Sequence, residues 1–170
     1  MHAGRLHASN LGDSGFMVVR GGEVAFMSPQ QQHDFNFPYQ LGSPDAMGDA
    51  PAKAQRFSMR VAPGDVLVLA TDGLFDNVYP DEAAALGARA AGGGEPPEAA
   101  AAGLAAFARG RAADPAHLSP FAYGAQQLGY RYFGGKMDDI TVVIVYVGGG
   151  AEAGAEAGAE GSAPAPAAKL

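Results

Sequence analysis

The chain has 170 residues, 48% hydrophobic and 17% charged, a composition that suits a soluble globular domain and excludes a wholly disordered one. Its formal charge of -7, with only 11 Lys and Arg, argues against an electrostatic grip on nucleic acid. It has no cysteine, so a metal site must use oxygen or imidazole ligands, and no apolar stretch approaches a membrane span or a signal-peptide core.

In chain order, Arg5 to Ala8, Gly15 to Arg20 and Glu23 to Ser28 read as short strands, and two consecutive hairpins are the simplest arrangement. The Gly21-Gly22 pair suits a two-residue turn, which sets Phe16 to Val19 antiparallel to Val24 to Met27. Pro29 to Gln55 shows no sustained period and is expected to be a long connecting loop bordering a functional surface. Arg56 to Val61 alternates as a strand, Pro63-Gly64-Asp65 turns, and Val66 to Ala70 is a buried strand.

Helices are predicted from Pro80, from Pro97 to Arg111, and from Ser119-Pro120 toward Leu128. Proline at a first helical position and acids in the first turn favour the first of these starts. Met137 to Val147 contains an unbroken β-branched run, expected to be a strongly buried strand. Residues 149–170 are built from Ala, Gly, Glu and Pro, too little apolar surface to offset ordering entropy, and are expected to be a disordered tail.

Acids recur at glycine turns and strand ends: Asp13, Asp72, Asp76, Asp138 and Asp139. Singly, each is ordinary turn chemistry. Converging from neighbouring strands, such carboxylates repel unless a proton or a cation neutralises them, and hard divalent ions prefer oxygen ligands. On residues alone, turn chemistry and a carboxylate metal site stand level.

Three stretches carry a resemblance. ATDGLFDN at Ala70 to Asn77, ASNLGDSGFMVVRGGEV and GGKMDDITVVIVYV resemble ordered motifs of the metal-dependent type 2C (PPM-type) Ser/Thr protein phosphatases. SPQQQHDFNFPYQL and SPFAYGAQQLGYRYFGGKMDDIT are similar to the PTC-seven-like branch of mitochondria and plastids. The resemblance spans about residues 5 to 147.

It implies an α+β fold: a four-layer α-β-β-α sandwich of two antiparallel sheets flanked by helices. It implies a phosphoserine/phosphothreonine phosphatase with two Mg²⁺ or Mn²⁺ ions, in which a metal-activated water attacks phosphorus directly and the partner is a phosphoprotein. Asp72 and Asp138 match metal ligands, and Asp13 and Asp76 match acids associated with a third, weaker ion. Gly73 lets backbone pass close to the site, and Asp139 is a neighbour rather than a ligand. His33 falls where the family has a loop histidine, read as hydrogen-bonded rather than acid/base; His2, His7 and His117 match no motif.

The family's opening segment, with a phosphate-holding arginine and an Asp-Gly bridging motif, has no counterpart in this text. Residues 1–148 are therefore expected to be the C-terminal part of such a domain, incomplete at the N-terminus, with an apolar face exposed and with weakened activity alone. The competing expectation is a pseudophosphatase or non-catalytic interaction module. Ala168-Lys169-Leu170 is similar to a peroxisomal address, which chance readily produces on an Ala-rich tail.

Overall fold

A computed structural model describes residues 4–42 and 48–148; the expected tail and its last three residues lie outside them. The core is a four-stranded antiparallel sheet in the order β3-β2-β7-β8, formed by Glu23–Met27, Gly15–Arg20, Val66–Ala70 and Val142–Tyr146. Gly21 and Gly22 both adopt positive φ, 61° and 87°, and close the β2–β3 hairpin as expected.

The first expected hairpin does not form. Strand β1 (Gly4–Asn10) pairs instead with β6 (Gln55–Val61), from Gly4↔Val61 through Asn10↔Gln55, as a separate two-stranded sheet. The Gly12-Asp13-Ser14 turn carries the chain from one sheet to the other, held by Asn10 Nδ2 donating to the Ser14 carbonyl at 2.8 Å. The second sheet packs on the first through Leu6, Met59 and Val61 against Val18, Leu67 and Phe26. Phe57 meets Phe16 and Phe26 edge-on, both ring centroids at 5.4 Å.

The expected unstructured loop also has structure of its own. It contains a small hairpin, β4 (Gln32–Asp34) with β5 (Phe37–Pro38), and a 3-10 turn at Pro51–Lys53. Asp49 anchors it, taking hydrogen bonds from Lys53 Nζ at 2.7 Å and the Gln40 amide at 3.0 Å and pairing with His33 Nε2 at 2.8 Å.

Strand β7 is central and buried except at Leu69. Its other face carries two helices, α2 (Pro80–Gly92) and α3 (Pro97–Ala113), following α1 (Asp72–Phe75). Ala100, Leu104, Ala108 and Ala112 repeat every four residues as the buried stripe of α3. Glu82 accepts from the Tyr79 amide at the start of α2 and pairs with Arg111 of α3 at 2.9 Å, tying the helices together. A fourth helix, α4 (Pro120–Gln127), begins at Ser119, whose hydroxyl accepts from the Ala122 amide. The class is α+β, antiparallel sheets flanked by helices.

Strand β8 is shorter and less buried than its composition suggests. It covers Val142–Tyr146, with Ile144 its one buried residue, and Met137 to Thr141 is not strand. As the last strand of its sheet, β8 buries alternate residues against α3; Val143 and Val145, 50% and 43% exposed, share the opposite face with Leu69 at 41%. That face is an apolar strip beside the two-stranded sheet.

Candidate metal centre

Strand β7 ends at Ala70, and the next residues make a single helical turn rather than continuing extended. Thr71 precedes it, Asp72 opens it, and Asp76 follows it, with the Asp76 amide donating to the Asp72 carbonyl at 2.7 Å. One helical turn between them sets the two carboxylates on the same side.

The second wall is the segment before β8. Thr71 Oγ1 donates to the Asp139 carbonyl at 2.9 Å and accepts from the Thr141 amide at 3.1 Å. Gly73 makes this docking possible, because a Cβ there would stand 2.5 Å from the Asp139 carbonyl oxygen. Asn77, fully buried, completes the joint: its amide donates to the Gly73 and Lys136 carbonyls at 2.9 and 2.8 Å and accepts from the Lys136 amide at 2.8 Å.

These contacts bring Asp72, Asp76 and Asp138 together, with one carboxylate oxygen from each lying within 4.8 Å of the others. Lys136 Nζ sits among them at 2.9 Å from Asp72, 2.7 Å from Asp76 and 3.1 Å from Asp138. Burial disfavours the ammonium, but its hydrogen bonds to Asp76 and Asp72 prevail and hold Lys136 above the ordinary lysine range. Burial raises the Asp76 carboxyl, against the opposing pull of Lys136. Burial also works on Asp138, yet Lys136 and the Asp139 amide bring that carboxyl below its ordinary value.

Asp13 stands near this group on the Gly12–Ser14 turn without being one of the three. Burial and the neighbouring Asp72 charge both raise its carboxyl. Asp139 is exposed and contributes its carbonyl to Thr71. His33 belongs elsewhere, paired with Asp49 and stacked on Tyr39 with ring centroids 4.0 Å apart. His117 pairs with the Asn77 carbonyl at 2.9 Å, supporting the residue that holds the joint.

Three convergent carboxylates with surplus negative charge form the hard-oxygen donor set that Mg²⁺ or Mn²⁺ prefers, so the residues fit such an ion. Lys136 and Asn77 lie inside the quoted motifs but are not among the residues expected at the site. The signal for Lys136 was a lone cation two residues before a pair of acids; Asn77 carried none beyond its place after Asp76.

No family model matches the chain. It is 54% identical over 147 residues to the probable protein phosphatase 2C 55 of Arabidopsis thaliana, covering 86% of this chain and 31% of that protein. It is 45% identical over 151 residues to the human protein phosphatase PTC7 homolog, covering 84% of this chain and 49% of that one. Thus the chain spans about a third to a half of the length of these curated relatives. Among solved structures it is similar to the photosystem II phosphatase PBCP, with TM-score 0.74 and 33% identity over 85% of this chain and 59% of that chain. The S. agalactiae serine/threonine phosphatase shares the fold at TM-score 0.58 and 19% identity, covering 84% of this chain and 54% of that one.

Proposed function

The chain belongs to the type 2C protein phosphatases, and from that premise we propose that it is the metal-binding part of a phosphoserine/phosphothreonine protein phosphatase. The observation that carries the reading is the convergence of Asp72, Asp76 and Asp138 from two separate segments onto one small volume. On this reading Asp72 and Asp138 would hold Mg²⁺ or Mn²⁺, and Asp76 with Asp13 would serve a further, weaker ion. When bound, such ions polarise the phosphoryl group and supply a water activated at neutral pH.

The chain's own contribution is placement. The one-turn helix after β7 spaces Asp72 from Asp76, Gly73 admits the Asp139 backbone, and Asn77 locks the second wall to the first. Asp139 and His33 support neighbouring backbone and loop structure. The substrate is a phosphoprotein, and a plastid or mitochondrion is the location we favour; the plastid arm draws on a structural neighbour named for photosystem II.

A second reading, a pseudophosphatase or non-catalytic interaction module, has one observation in its favour: an ammonium already sits among the three acids. Phosphate release from a phosphothreonyl peptide separates the two. Release by the purified chain that requires Mn²⁺, stops with chelator and is lost in Asp72→Asn supports the enzyme. No release above the protein-free control supports the module.

A further inference from the structure

Lys136 is positioned by more than its attraction to the acids. Its backbone N–H and carbonyl are both taken by the side chain of fully buried Asn77. The preceding residues, Gly134 and Gly135, pass so close to the end of α3 that a Cβ on either would meet the backbone of Pro115 or of Arg111 and Ala112. Ser119 Oγ donates to the Gly134 carbonyl at 2.8 Å. The lysine backbone is thus a fixed post, and only its four-carbon stem can move.

At the tip of that stem, one ammonium faces three carboxylates, and its side chain is 16% exposed. A divalent ion needs the same oxygen lone pairs. The ammonium and the ion cannot occupy the same position among those oxygens, and their mutual repulsion is weakly screened in a partly buried site, so they compete for it. An alternative perch lies at hand: Lys136 Nζ is already 4.9 Å from the centre of the Phe121 ring, a distance at which an aromatic face attracts an ammonium.

We propose that Lys136 is a tethered counter-ion: it fills the cation position among Asp72, Asp76 and Asp138, and a divalent ion binds by displacing it toward Phe121. This rests on the metal-site reading above. The lysine holds the carboxylates together before the ion arrives and lowers the affinity for the ion, making occupancy an exchange between an internal and an external cation.

The test is Mn²⁺ titration by calorimetry of the wild-type chain, Lys136→Met and Asp72→Asn. Methionine keeps the apolar stem without the charge. Removing a competitor held by charge-assisted hydrogen bonds should tighten Mn²⁺ binding about tenfold or more. The metal-free Lys136→Met chain should also melt lower than wild type, with the difference narrowing at saturating Mn²⁺. Unchanged or weaker binding in Lys136→Met, while wild type binds and Asp72→Asn does not, overturns the counter-ion and leaves the metal site standing. Binding to none of the three overturns both. A second measurement needs no variant: amine acetylation at Lys136, read by mass spectrometry, should accelerate in wild type when Mn²⁺ saturates, and an unchanged or slower rate overturns the proposal even where Lys136→Met fails to fold.

Discussion

Two charge clusters in this molecule use the same residue types to opposite ends. Around Asp49, one carboxylate is shared by Lys53 and His33, and those hydrogen bonds, Lys53 first, hold its carboxyl far below the ordinary range. Around Lys136, one ammonium is shared by three carboxylates, and burial raises the Asp76 carboxyl despite that partner. The first cluster is satisfied and pins a loop. The second retains surplus negative charge, and a cluster left in surplus is one that a cation can still stabilise.

The largest effect should separate them by activity. On the proposed enzyme reading, Asp72→Asn should lower phosphopeptide hydrolysis by about a hundredfold or more, by analogy with the loss of a group that orients a metal. Asp49→Asn should leave turnover per folded molecule near wild type. Steady-state phosphate release with Mn²⁺ checks both, and comparable losses in the two variants would break the distinction.

A smaller effect concerns the joint beneath the acids. Asn77→Ala removes a side chain that satisfies three backbone groups, two of Lys136 and one of Gly73. Leaving buried polar groups unpaired should cost about 3 kcal/mol, measured by urea unfolding. Gly73→Ala forces the Asp139 backbone outward and should cost about 2 kcal/mol, the range of an overpacked contact. Its Mn²⁺ affinity should fall as well, since Asp138 moves with that segment. Unaltered stability in both variants would mean the second wall is not held by these contacts.

The smallest effect is in the pH dependence of folding. The folded Asp49 carboxyl is depressed below its ordinary value of 3.8, so its stabilisation is fully present above that value and is lost as pH falls below it toward the folded value. Acid unfolding of Asp49→Asn should therefore be shallower in this range, followed by circular dichroism. A curve superimposable on wild type would show that the loop cluster contributes nothing to the pH profile.

The sequence made local pairings and starts legible, and long-range geometry illegible. Gly21-Gly22, Pro80, Pro97 and Ser119-Pro120 announce a hairpin and three helix starts because each acts through its immediate neighbours. The partner of β1 lies some fifty residues on, at Gln55–Val61, and no periodicity within β1 encodes that choice. Strand β8 is uniformly apolar in text, yet its two faces are covered differently, so Val143 and Val145 stay exposed. At the site, the acids themselves were legible as an ordered pattern. The single turn of α1 was too short to announce itself, and the reach of Lys136 depends on Asn77, whose role exists only once both walls have folded together.

The central claim is that surplus negative charge at Asp72, Asp76 and Asp138 makes a cation site while the balanced Asp49 cluster does not. Mn²⁺ titration of wild type, Asp72→Asn and Asp49→Asn tests it directly. The account predicts matching binding by wild type and Asp49→Asn and none by Asp72→Asn; binding that survives Asp72→Asn, or is lost in Asp49→Asn, would contradict it.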